Sequence, residues 1–116
     1  MLFRSLERLE YDIARSGWVG DYPDPNTFFD LYRTGDGNNR TGWGNPNYDA
    51  LLGAAAQEGD HAKRLGIFQK MDRQLMDEVT AIPIYVHVCQ GMLAEKVRGF
   101  HLNVRDLHPF QYLWME

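Results

Sequence analysis

Cysteine is nearly absent. The single Cys89 allows no internal disulfide and no Cys-x-x-Cys metal or redox site. On its own it reads as a small buried apolar residue. Long apolar runs are missing too: stretches such as Ala81-Ile82-Pro83-Ile84-Tyr85-Val86 are far too short to span a bilayer. There is no basic stripe. Acids and bases are interspersed, the formal net charge is −4, and no nucleic-acid partner is expected. The opening Met1-Leu2-Phe3-Arg4-Ser5-Leu6-Glu7-Arg8 turns charged too early for a secretory signal, so no signal peptide is expected in this chain. Repeats and low-complexity tracts are absent as well.

What remains is globular in character. The 116 residues are 44% hydrophobic and 24% charged, enough for one small domain with a single core. The most distinctive stretch is Trp18-Val19-Gly20-Asp21-Tyr22-Pro23-Asp24-Pro25-Asn26. Pro23 and Pro25 lack a backbone donor and push Tyr22 and Asp24 out of the helical region. This predicts a stiff polar-aromatic loop, and rigidly held loops are where binding groups usually lie.

Around that loop the pattern predicts α/β structure with a short strand, three helices and a C-terminal strand pair. Leu2, Leu6 and Leu9 suit a short helical lead-in. Tyr11 to Trp18 alternates as a short strand feeding the loop. Asp24 or Asn26 is placed to cap a helix from about Thr27, which the turn chemistry of Thr34-Gly35-Asp36-Gly37-Asn38-Asn39 ends. Pro46 suits a first helical position, before a helix over about 47–57 with Tyr48, Leu51, Leu52 and Ala55 inward. Gly59 suits a left-handed stop and Asp60 an N-cap. A helix over about 61–79 follows, with Ala62, Leu65, Phe68, Met71, Leu75 and Val79 on one face. Lys63, Arg64, Lys70, Arg73 and Glu78 fall on its wet face. Its terminal charges oppose the helix dipole, with Lys63 and Arg64 early and Asp77 and Glu78 late. Ile82, Ile84, Val86 and Val88 then alternate as a strand, pairing with a second extended segment, 90–97, through a bend at Cys89–Gly91. The tail after Gly99-Phe100 is irregular and strongly apolar.

Several residues invite a chemical reading. Asp21 and Asp24 offer two carboxylates, which sugar hydrolysis would use at a defined separation. The plainer reading is an Asx-turn. A third is recognition of a cation by a carboxylate beside Trp18 and Tyr22. Arg40 and Trp43 flank the glycine-rich loop and suit either ligand contact or ordinary packing. Asn39-Arg40-Thr41 matches a glycosylation sequon, a short and common motif. His61, His87, His101 and His108 lack metal-ligand spacing, and Gly35-Asp36-Gly37 lacks the rest of a phosphate loop. No metal and no cofactor is expected.

The run from Tyr11 to Phe100 resembles the C-terminal part of the extracytoplasmic oligopeptide/dipeptide-binding proteins of ABC transporters. Five blocks carry the resemblance in order: Tyr11–Trp18, Gly20–Phe28, Gly37–Trp43, Asn45–Asp49 and Ala81–Tyr85. Family members close two α/β lobes over a ligand, so the resemblance implies a portion of a two-lobed periplasmic-binding-protein (type II) fold. It implies that residues 1–84 form part of the C-terminal lobe with the ligand-facing loop. Residues 85–116 would cross the hinge and pack on the N-terminal lobe. In the peptide binders an acid in a Trp-x-x-Asp-Tyr motif holds the peptide's α-ammonium. That position is Asp21, with Trp18 and Tyr22 as weaker contacts. The implied protein is no enzyme. It is a solute-binding component with a peptide ligand and a membrane permease as partners, periplasmic or at the cell surface, and monomeric when full length. The family's length makes this chain a fragment or a truncated reading frame. Two other classes stay open: a carbohydrate-active enzyme using Asp21 and Asp24, and a stand-alone interaction module.

Overall fold

Two helices packed antiparallel carry the core, and their sequence explains both. The computed structural model describes residues 2–88, 90–103 and 106–116. Among these there are four α-helices, two short 3₁₀ turns and one two-stranded ladder. Helix α1 spans Leu2–Glu7, α2 Asn26–Phe29, α3 Pro46–Gln57 and α4 His61–Asp77. Helix α2 runs directly into a 3₁₀ turn at Asp30–Tyr32.

Helix α3 begins as its sequence predicts. The Asn45 side chain accepts from the Asn47 N–H, and Pro46 follows at a position whose missing donor costs nothing. Helix α4 is capped the same way, Asp60 accepting from the Lys63 N–H at 2.9 Å. The predicted stop at Gly59 is corrected: Glu58 closes α3 in an extended conformation, and Gly59 is not left-handed. The left-handed residue stands at the end of α4 instead. There Val79 has φ 52°, with its N–H bonded to Met76 O and the Thr80 N–H bonded to Leu75 O. This is the Schellman closure with a β-branched residue in the place glycine usually takes. It ends α4 before Val79 can join the core, and Val79 is exposed.

Among the described residues, every core residue comes from α3 and α4. Tyr48, Leu52 and Ala55 meet Phe68, Met71 and Leu75, with Phe29, Tyr32, Trp43, Leu51 and Ile67 packed around them. Phe29 stacks on Phe68 at 5.0 Å, which fixes α2 to α4. The Tyr48 hydroxyl donates to Phe29 O at 2.8 Å, and burial pushes its pKa well up. Ala62 and Leu65, expected inside, are exposed. Arg64, expected on the wet face, is half-buried instead. The buried stripe of α4 is therefore narrower than its periodicity implies.

The strand expectations are mostly corrected. Residues 11–18 form no strand, and Ile13 is 90% exposed. Residues 80–88 form none either, with Ile84 82% and Val86 88% exposed. One bond joins these stretches, from the Arg15 guanidinium to the Tyr85 hydroxyl at 2.8 Å. A strand exists only through its partner's hydrogen bonds, so alternation alone does not make one. The C-terminal ladder that does form shares only Val97 with the expected pair: β1, Val97–Arg98, pairs antiparallel with β2, Trp114–Met115. Gly99 follows β1 at φ 81°, so close to the Tyr112 carbonyl that no side chain would fit. Cys89, the first residue of the expected bend, and Val104 of the apolar tail lie outside the described residues.

The radius of gyration is 18.2 Å, against about 13 Å for a compact domain of 100 residues. The excess reflects extended, exposed chain on either side of the helical core. The fold is thus a mixed one, a helical core with a two-stranded ladder.

Candidate functional site

The loop after Trp18 folds back onto the start of α2. The Asp21 N–H donates to Thr27 Oγ1 at 3.1 Å, and Thr27 is buried. Gly20 packs so closely that a Cβ there would lie 3.2 Å from the Thr27 methyl. Asp24 closes the turn with both its backbone and its side chain. Its N–H donates to Tyr22 O, its carbonyl accepts from Thr27 N–H, and Oδ1 accepts from Asn26 N–H at 2.9 Å. Neither Asp24 nor Asn26 is the N-cap: Pro25 occupies that place without a side-chain bond. The plainer reading of Asp24 as an Asx-turn acid is what the geometry shows.

Asp24 also makes a contact that spacing could not reveal. Arg64, one turn into α4, reaches it with both terminal nitrogens at 2.5 and 2.8 Å. The same guanidinium donates through Nε to Ala55 O at 2.9 Å and lies 4.9 Å over the Phe68 ring. The Arg64 hydrogen bonds, helped by the Asn26 N–H, hold the Asp24 carboxyl below its ordinary pKa despite partial burial. A general acid in sugar hydrolysis needs the opposite, a raised pKa. Asp24 is therefore fixed as a carboxylate in an ion pair, and the acid–base pairing with Asp21 has no support.

Trp18, Asp21 and Tyr22 line one open cleft of about 330 Å³, together with Asp30, Arg33 and Asp36. Trp18 and Tyr22 are partly exposed there. The Tyr22 hydroxyl accepts from the Asn26 amide at 3.2 Å, and that amide also donates to Asp30 at 2.7 Å. Asp30 accepts from Arg33 at 2.5 Å, and Asp36 accepts from the Asn38 N–H at 2.8 Å. Among the described residues nothing bonds the Asp21 carboxylate, which is exposed. Three carboxylates (Asp21, Asp30, Asp36) against one guanidinium (Arg33) make the cleft net negative. It suits a cation, and the two aromatic faces suit one as well.

Arg40 and Trp43 do not line this cleft. Arg40 pairs with Glu7 at 3.6 Å, and its carbonyl accepts from the Tyr11 hydroxyl. Trp43 packs edge-on against Tyr48 and donates through Nε1 to Glu78 at 2.6 Å. Asn45 also donates to Glu78, at 3.0 Å. The Trp43 bond, with those from Gln74 and Asn45, holds the Glu78 carboxyl below its ordinary range. In the sequon, the Asn39 amide nitrogen that a glycan would take donates to Arg33 O and Trp43 O. Among the described residues no three His, Cys, Asp or Glu side chains gather to hold a metal ion.

Arg64, Asp30, Arg33 and Glu78 escaped the sequence reading. For Arg64 and Glu78 there was a signal: both stand where a helix dipole disfavours their charge.

No family model matches the chain. Curated relatives do. Over 95 residues, 81% of this chain, it is 37% identical to the oligopeptide-binding protein OppA of Bacillus subtilis. Over 105 residues, 90% of the chain, it is 33% identical to the dipeptide-binding protein DppE of the same organism. The periplasmic murein peptide-binding protein MppA of Escherichia coli is 29% identical over 93 residues, 80% of the chain. The chain spans only 17–18% of the length of these relatives. All three are named as binding proteins and none as an enzyme. Over most of its length, this chain is similar to one segment of the oligopeptide- and dipeptide-binding proteins.

Proposed function

We propose that this chain supplies a ligand-facing wall of an extracytoplasmic peptide-binding protein that serves an ABC transporter permease. Asp21 receives the peptide's N-terminal ammonium, with Trp18 and Tyr22 walling it in. The observation that carries this reading is the exposed Asp21 carboxylate, unbonded among the described residues, in a cleft where the other acids are already engaged. Arg40 and Trp43 act from behind the cleft, shaping the 33–45 loop and meeting ligand only through it. The names of the relatives, which bind oligopeptides, dipeptides and murein peptides, support the ligand class.

The parent fold in this reading is the two-lobed type II architecture. Residues 1–84 belong to the C-terminal lobe, and 85–116 cross the hinge to pack on the other lobe. Supporting this are the exposed Ile84, Val86 and Val88 and the exposed Leu102, Phe110 and Trp114, apolar groups that gain by burial. The full-length protein is a monomer in the periplasm or at the cell surface. Closure matters energetically. An ammonium–carboxylate pair open to water is worth about 0–1 kcal/mol. Only a dry, closed clamp with further hydrogen bonds makes it strong.

The test is a chimaera in which this chain replaces the matching stretch of the Bacillus subtilis oligopeptide-binding protein. A tripeptide with a free amine should bind, and Asp21→Asn should weaken it by about 2 kcal/mol or more, as for one partner lost from a buried ion pair. The N-acetylated tripeptide should bind weakly to both proteins. Equal affinity of parent and variant for the free amine, read by calorimetry, would overturn the Asp21 assignment.

A further inference from the structure

We infer that Arg64 is the positioning residue of the ligand-facing loop, holding it in shape through Asp24 from a place on α4 that contributes nothing to the cleft itself. The inference rests on the reading of that loop as the ligand-facing one.

Three observations meet at this side chain. First, its position is unfavourable for the helix that bears it. Arg64 lies in the first turn of α4, beside Lys63, with no acid in that turn. A cation there faces the positive end of the dipole. Second, all the hydrogen bonds made by its guanidinium leave α4. Nε bonds the end of α3 at Ala55 O, and the two terminal nitrogens grip both oxygens of Asp24. The side chains are only 24% and 29% exposed, so the grip is partly shielded from solvent. A planar two-point contact fixes orientation as well as distance, which an ammonium would not do. Third, Asp24 is the residue through which the loop closes. Its backbone bonds Tyr22 and Thr27, and its carboxylate also bonds the Asn26 N–H. Thr27 in turn holds the Asp21 N–H.

The chain of contacts runs from the rigid α3–α4 pair through Arg64 and Asp24 to the turn that carries Asp21. The Phe29–Phe68 stack, on which the guanidinium rests, braces the same junction from below. Arg64 does not line the cleft. Its effect on ligand is therefore indirect: it sets where the Asp21 carboxylate and the Tyr22 ring stand before ligand arrives. A preorganised loop spends less of the binding energy on ordering itself.

Hydrogen exchange in the full chain tests the inference, with affinity in the chimaera as the second readout. The Asp21 amide is the probe, since the Arg64 hydrogen bonds go to Asp24 and Ala55 and to neither Asp21 nor Thr27. Arg64→Ala and Asp24→Asn should each speed its exchange about tenfold or more, as expected for losing hydrogen bonds to a charged group. The double variant should be no faster than the faster single one, because both remove one contact. Arg64→Lys, which keeps the charge and loses the two-point grip, should fall between wild type and Arg64→Ala. Amides of Met71 and Leu75 should stay as slow as in the wild type. Asp21 exchange unchanged in Arg64→Ala and Arg64→Lys would overturn the inference. So would equal acceleration throughout α4, which would mark Arg64 as a general prop for the helix pair.

The two readings fail separately. If Asp21→Asn leaves the free-amine tripeptide unaffected while Arg64→Ala loosens the loop, the ammonium assignment falls and the clasp stands. If Asp21→Asn weakens binding while Arg64→Ala changes neither exchange nor affinity, the clasp falls alone.

Discussion

Residues 79–116 are richer in apolar residues than residues 26–78, yet it is the less apolar region that builds the core. Among the described residues, the buried ones all lie in the first region, from Thr27 to Leu75. The second exposes Ile82, Ile84, Val86 and Val88 along one extended stretch, then Leu102, Phe110 and Trp114 in the tail. The difference teaches what each kind of element needs. A helix satisfies its own backbone and requires one apolar neighbour, and α3 and α4 supply that to each other across a three-residue connection. A strand needs a partner for its backbone before its side chains can form a face. Within the described residues only Val97–Arg98 finds one.

The largest expected effect sharpens this contrast. Met71 is fully buried between the two helices. Met71→Ala should lower the free energy of unfolding by about 2–5 kcal/mol, measured by urea denaturation. A smaller loss would mean that the helix pair is not the seat of stability.

Acid should act on the clasps at the two ends of α4. Asp24 and Glu78 both have depressed pKa values in the folded chain, chiefly from the Arg64 and Trp43 hydrogen bonds respectively. The sign follows from linkage. A depressed carboxylate stabilises the folded state above its unfolded value, about 4, and that contribution is lost as pH falls through the lower folded value. The stability difference between wild type and Asp24→Asn should be constant at neutral pH and shrink progressively below about pH 4. Glu78→Gln should behave alike. A difference that persists unchanged in strong acid would show that the carboxylate charge is not what the contacts use.

The smallest effect belongs to the second region. Ile84→Ala should change the stability of this chain by less than about 0.5 kcal/mol in the same urea experiment, as for an exposed side chain. A loss near that of Met71→Ala would break the comparison outright, because it would mean that Ile84 is buried in solution.

The helical part of the fold was legible because its signals are local. Asn45-Pro46 and Asp60 start α3 and α4 where their chemistry says, and the spacing of Tyr48, Leu52, Phe68, Met71 and Leu75 names the core. The strands were misread because alternation describes a face without saying what covers it. Gly59 was given a left-handed stop that α3 does without, and α4 takes one at Val79, since turn propensity ranks residues while hydrogen bonding selects among them. At the site, the loop's stiffness and the exposed Asp21 could be seen in the run from Trp18 to Asn26. The clasp could not, because Asp24 and Arg64 are far apart in sequence.

The sequence by itself determined two capped helices with complementary apolar stripes, a proline-stiffened loop bearing Asp21, and kinship with the peptide-binding proteins. The helices and the loop rest on residues within a few positions of one another, and the kinship rests on five short blocks kept in order. Only the tertiary structure decided that Asp24 belongs to Arg64 rather than to Asp21, that Glu78 belongs to Trp43, and that the alternating stretch at 82–88 goes unpaired. Those outcomes depend on which distant groups meet in space, and an ion pair or a strand ladder has no energy until they do.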